Sequence, residues 1–148
     1  MKKTDLAKHI QILSPQIHPS VFVARSADII GDVRVGEASS IWYNCVCRGD
    51  INYIEIGQRT NIQDGTVIHL ENDLPTLIGN DVTVGHKAMI HACTIEDGAL
   101  IGMGAIVLNG AIVKKGAIVG AGAVVKENTV IPEAVSYTHL RAHETNSH

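Results

Sequence analysis

The sequence predicts an all-β chain wound as a parallel β-helix, and three observations carry that expectation. From Gly98 a six-residue unit repeats: Gly98-Ala99-Leu100-Ile101-Gly102-Met103, Gly104-Ala105-Ile106-Val107-Leu108-Asn109, then units opening at Gly110, Gly116 and Gly122, and a weaker last copy ending in Val130-Ile131. The fourth place of each unit is Ile or Val, from Ile101 through Val107, Val113, Val119 and Val125 to Ile131. Apolar content is 45% but aromatics are only 3%, so the core is built from aliphatic side chains suited to thin, regular layers. A fixed short period means stacked units, and six residues are too few for a helical solenoid. Recurrent glycine opposes a long helix at about 1 kcal/mol each. β-Branched pairs between glycines suit short strands joined by tight corners.

The chain then reads in order. Residues 1–14 form an N-terminal leader segment, and His9 and His18 fall outside any pattern and read as surface residues. Pro15 and Pro19 break the chain as the repeat domain, residues 15–133, begins. Fourth places recur at Ile29, Val35, Ile41 and Cys47, then at Ile56, Ile62 and Ile68, and at Val84 and Ile90. The register breaks near Asp50 to Tyr53, at Leu70 to Pro75, and by one residue between Ile90 and Ile95. The stretch Leu70-Glu71-Asn72-Asp73-Leu74-Pro75 reads as a protruding loop. Residues 134–148 have a different composition and resemble the translated read-through of a sequencing-library adapter, so they are expected to be a non-native tail. Its histidines, His139, His143 and His148, are set aside.

Composition excludes several partners. Net charge is −3 with no basic patch, which argues against nucleic acid. No apolar run approaches the roughly 18 residues that span a membrane. Three cysteines, Cys45, Cys47 and Cys93, with no signal peptide point to a reducing cytoplasm and to small wall residues.

The candidate chemistry lies between His69 and His91. Both follow a fourth-place Ile, and they are 22 residues apart. One 18-residue coil plus the insertion would stack them on adjacent coils, about 4.8 Å apart. Two imidazoles at that spacing can share a Zn²⁺. His86, five residues before His91, falls around a corner on another face, where a neighbouring subunit could supply it if three chains pack side by side. Arg48 and Asp50 share a strand face, as do Asn61 and Gln63. An exposed ion pair and a corner turn at Asp64-Gly65 are the plain structural readings of these residues.

Taken together, Arg48-Gly49-Asp50, Asn61-Ile62-Gln63-Asp64, His69 and His86-x4-His91 resemble the gamma-class carbonic anhydrases, over about residues 10–133. The resemblance implies a three-sided, left-handed parallel β-helix built from hexapeptide repeats. It also implies a C-terminal helix along the coil, which is expected to be missing from this sequence. It implies a homotrimer with one metal per interface, Zn²⁺ or alternatively Fe²⁺ or Co²⁺. The ligands would be His69 and His91 from one subunit and His86 from the next. Metal-bound hydroxide would attack CO₂ to give bicarbonate, with Gln63 orienting it, Asn61 nearby, and Arg48, Asp50 and Asp64 forming ion pairs beside the metal. Ile51 stands where well-characterised members carry a carboxylate, and Glu71 is the only glutamate of the short loop, so the chain resembles a shorter subgroup without the acidic proton shuttle. Two alternatives follow: an acyl-CoA thioesterase using the same metal, or a non-catalytic structural or assembly subunit. A hexapeptide acyltransferase would leave Arg48-Gly49-Asp50 and Gln63 unexplained.

Overall fold

A computed structural model describes residues 13–138. The described chain is a left-handed parallel β-helix of very short strands, with no helix among the described residues. Successive strands fall in turn on three faces. The first face stacks Asp28 to Gly31, Val46 to Gly49, Val67–His69, Met89–His91, Ile106–Val107 and Val124–Val125. The second stacks Gln16–Ile17, Val33 to Val35, Ile54 to Ile56, Thr76–Ile78, Thr94–Ile95, Ile112–Val113 and Val130–Ile131. The third stacks Phe22–Val23, Ser40–Ile41, Asn61–Ile62, Thr83–Val84, Leu100–Ile101, Ile118–Val119 and Ser136–Tyr137.

The repeat explains this winding. Fourth-place residues point inward: Ile62, Ile68, Val84, Ile90, Ile101, Val107 and Val113 are all fully buried. Burying each such side chain contributes roughly 1.5–3 kcal/mol. The second place of each unit also points inward, which is why Ala99, Ala105, Ala111, Ala117 and Ala123 are there: the corner leaves room for little else. Where that place is polar, the hydroxyl bonds across to the next coil, as when Thr60 donates to the Gly79 carbonyl at 2.7 Å and Thr66 to that of Gly85 at 3.0 Å. The first place turns the corner with positive φ, 67° at Gly104, which glycine adopts without the clash a Cβ brings. Lys87 at 56° and Ala92 at 49° adopt it without that freedom. Each costs about 1–2 kcal/mol, and both lie at the corners that carry the candidate histidines.

All three breaks in the repeat map to one corner, between the first and second faces. Residues 50–53 run through it inside the extended strand Val46–Ile56. The Leu70 to Pro75 stretch lies on it, joined to the earlier break by a 3.1 Å hydrogen bond from Asn52 Nδ2 to the Asn72 carbonyl. This loop is narrower than expected. Leu70 is fully buried, and only Glu71 to Leu74 stands out, closed by reciprocal backbone hydrogen bonds of 3.0 and 3.4 Å. Leu70 lies beside His69, at the point where the chain still has to cover the core. Gly49 sits at the same corner because a side chain there would run into the Asp32 carbonyl.

The coil continues past the expected boundary at residue 133. Ser136–Tyr137 pairs with Ile118–Val119, which requires an extended backbone rather than the residue types of the repeat. Residues 1–12 of the expected leader and 139–148 of the expected tail lie outside the described residues.

Candidate metal centre

His69 and His91 are register partners on neighbouring strands of the first face. Their rings are 5.2 Å apart, and Nδ1 of His69 faces Nε2 of His91 at 3.2 Å. Each ring is held from outside. His69 Nε2 donates to Asp50 Oδ1 at 2.8 Å, and His91 Nδ1 donates to Asn109 Oδ1 at 2.6 Å. A neutral imidazole carries one N–H, so with the outer nitrogens protonated the two inner ones present lone pairs to each other. A shared proton or a bound cation relieves that repulsion. Two nitrogens about 2.0–2.1 Å from one tetrahedral metal would be about 3.3–3.4 Å apart, close to the spacing observed. The donor pair therefore fits a divalent metal.

Asp50 is buried and also pairs with Arg48 and accepts from the Ile51 amide at 3.0 Å. Burial alone would raise its pKa. The hydrogen bond from His69 and the neighbouring Arg48 guanidinium outweigh burial and hold the carboxyl below the usual carboxylate range. Asp50 thus stays ionised and can hold His69 in one tautomer.

His86 lies elsewhere, at the corner between the third and first faces, so the first face separates it from His69 and His91. Among the described residues, no three His, Cys, Asp or Glu side chains of one chain gather into a metal site. His86 is half exposed, with Nδ1 3.2 Å from Asp64 Oδ1. It lines an open cavity of about 260 Å³ with Trp42, Asn61, Gln63 and Asp64. Asn61 Nδ2 and Trp42 Nε1 both donate to Ser40 Oγ, at 2.6 and 3.1 Å. The Gln63 amide has no side-chain partner among the described residues.

Two residues of the site were not legible as candidates. Asn109 sits 18 residues after His91, one coil on, and that spacing is the only sequence signal it gives. Thr76 is fully buried; its hydroxyl donates to the His69 carbonyl at 2.6 Å and accepts from the Ala92 amide at 2.9 Å, tying the two histidine corners together. The cysteines are buried and free, and burial pushes the Cys93 thiol up to about 12, so they are packing residues.

Comparison with known proteins places the chain among relatives. Residues 92–127 match the bacterial transferase hexapeptide family of six repeats. Gamma carbonic anhydrase 2, mitochondrial, from Arabidopsis thaliana is 56% identical over 96 residues, which is 61% of this chain and 34% of that protein. A carbonic anhydrase of Geobacillus kaustophilus is 46% identical over 90 residues, 61% of this chain and 50% of that protein. The chain thus spans about a third to a half of these curated relatives. The crystal structure of a hexapeptide transferase family protein from Anaplasma phagocytophilum superposes with a TM-score of 0.82 at 40% identity, covering 85% of this chain and 74% of that one.

Proposed function

Because the chain belongs to the gamma carbonic anhydrase-like family of hexapeptide-repeat proteins, we propose that it hydrates CO₂ to bicarbonate at a divalent metal shared between subunits of a homotrimer. The observation that carries this reading is the His69–His91 pair, two lone pairs converging at 3.2 Å with both outer nitrogens fixed. His86 follows the same pattern: Asp64 lies against its Nδ1 and leaves Nε2 for the metal. Bound there, Zn²⁺, Fe²⁺ or Co²⁺ supplies a Lewis acid that makes water nucleophilic near neutral pH.

The coil supports the trimer. On the outside of the first face Val46, Val67, Met89, Ile106 and Val124 are successive register partners, a continuous apolar row. The matching row on the second face runs through Arg34, Glu55, Leu77, Thr94, Ile112 and Val130, so it is charged over the early turns and apolar only past Thr94. The first face is therefore the one to turn toward a threefold axis. Its two edges then meet the opposite edges of neighbouring subunits. Threefold closure allows no translation along the axis, so corners at equal height meet. His86 and His91 belong to one turn of the coil and His69 to the turn before. A neighbouring His86 arrives level with the pair.

Within that site the Gln63 amide is free to orient the attacking water, and Ser40 anchors Asn61 beside it. Ile51 carries no carboxylate, and the half-buried Glu71 is the only glutamate of the short loop, so on this reading the proton passes to buffer. Stopped-flow CO₂ hydration on metal-replete protein tests the proposal. Catalysis that rises with buffer concentration is expected, and a rate equal to the protein-free rate would overturn it.

One observation favours a second reading, thioester hydrolysis at the same metal. A largely apolar groove of about 420 Å³ starts at Gln63 and His86 and runs along the third face past Leu100, Met103 and Ile118. It could receive an acyl chain with its carbonyl at the metal, and hydrolysis across a panel of acyl-CoA lengths would reveal it.

A further inference from the structure

We infer that Asn109 is a positioning residue that makes His91 an Nε2 ligand; this rests on the metal reading above. The histidine has two ring nitrogens, and only the one facing His69 can join a shared metal. Asn109 Oδ1 lies 2.6 Å from the other, Nδ1. An acceptor there requires Nδ1 to carry the proton, which leaves Nε2 bare toward His69 Nδ1 at 3.2 Å. An amide nitrogen turned inward would instead place a donor against Nδ1 and put the proton on Nε2, closing the site to a cation. The lone pair on Nε2 and the oxygen of Asn109 therefore imply each other.

The backbone holds this acceptor in place. The Asn109 carbonyl accepts from the Asn128 amide at 3.0 Å, and the next amide, Gly110, donates to the Ala92 carbonyl at 2.7 Å. Ala92 directly follows His91, so ligand and acceptor are pinned by adjoining hydrogen bonds between neighbouring turns. The two inner ligands are thus supported by unlike groups. His69 leans on a carboxylate backed by Arg48, whereas His91 leans on a neutral amide that orients without adding charge.

Zinc affinity, measured by competition with a chromogenic chelator, tests the role in the full-length protein. Asn109→Leu keeps the volume and removes the acceptor; a 10- to 100-fold loss of affinity is expected. Asn109→Asp restores an acceptor, and affinity should return to the wild-type value or tighten. Leucine within twofold of wild type would overturn the role. ¹⁵N-histidine spectra of the zinc-loaded wild type read the tautomer directly, whatever the fate of the leucine variant. A protonated Nδ1 and zinc-bound Nε2 on His91 are expected, and the reverse would overturn the inference. Wild-type protein that binds no zinc, or His91→Ala that binds as tightly as wild type, would instead remove the metal reading itself.

Discussion

The Thr76 hydroxyl and the His69 carbonyl form a 2.6 Å hydrogen bond in the fully buried interior, and the same hydroxyl accepts from Ala92. Thr76→Val keeps the shape and loses both bonds, leaving a buried carbonyl and amide with weaker pairing. The cost should be about 1–3 kcal/mol, together with weaker zinc binding as the ligand corners drift. Thr60 makes an equivalent pair of bonds away from the histidines, to Gly79 and from Val82 at 2.7 and 3.2 Å. Thr60→Val should lower the melting temperature comparably and leave zinc affinity unchanged. Equal zinc affinity in all three proteins would restrict Thr76 to the coil.

Acid should reveal Asp50. Its folded pKa lies below the ordinary 3.8, so its ionised form favours the folded state. That contribution is full above the unfolded value near 3.8 and disappears as pH falls through the lower folded value. The stability gap between wild type and Asp50→Asn, from urea unfolding, should be flat above pH 5 and narrow below about pH 4. A gap that widens in acid would reverse the sign assigned here.

Gln63→Ala should retain zinc and the oligomer while turnover falls about 10²-fold, the usual effect of removing one donor or acceptor from a developing charge. Zinc content, native mass spectrometry and CO₂ hydration on one preparation check all three. Unchanged turnover removes Gln63 from the site.

Val113 is fully buried at a fourth place of the repeat. Val113→Asp would put an unpaired carboxylate in the coil and should be severely destabilising, by several kcal/mol. Thermal melting at neutral pH reads it; a wild-type transition would contradict the inward register.

Subunit mixing tests the shared site. If the site is shared as proposed, His86→Ala and His91→Ala homotrimers would each lack a ligand at every interface. A mixed trimer of either composition has one interface where a His86→Ala chain offers His69 and His91 to a neighbour that retains His86. Co-refolding should restore about one site in three within mixed trimers, by head-to-tail closure. No recovery of zinc, with mixed trimers verified by native mass spectrometry, would show that the ligands do not come from two chains.

The fold was legible because the repeat fixes which side chains face inward: one unbroken series from Ile101 to Ile131 reports the register of the later turns. The loop was harder, since an insertion reveals how many residues are added but not which of them turn back to the core, as Leu70 does. His69 and His91 stood out as an irregularity in an otherwise regular pattern. Asn109 and Thr76 did not, because each occupies an ordinary place in the repeat and gains its role only from the neighbouring turn. His86 lies apart from the pair within one chain, and its proposed role rests on a neighbouring subunit that spacing along one chain does not describe.

Each strand pairs only with the strands one turn before and after it. Cooperativity is consequently nearest-neighbour in kind, and opening is expected to begin at the terminal turns of the described coil and travel inward. His69 and His91 lie on interior turns, bracketed by paired strands on both sides. Fraying at either end of the stack can therefore proceed for some distance before the two imidazoles lose their alignment, and slow amide exchange should persist longest around them.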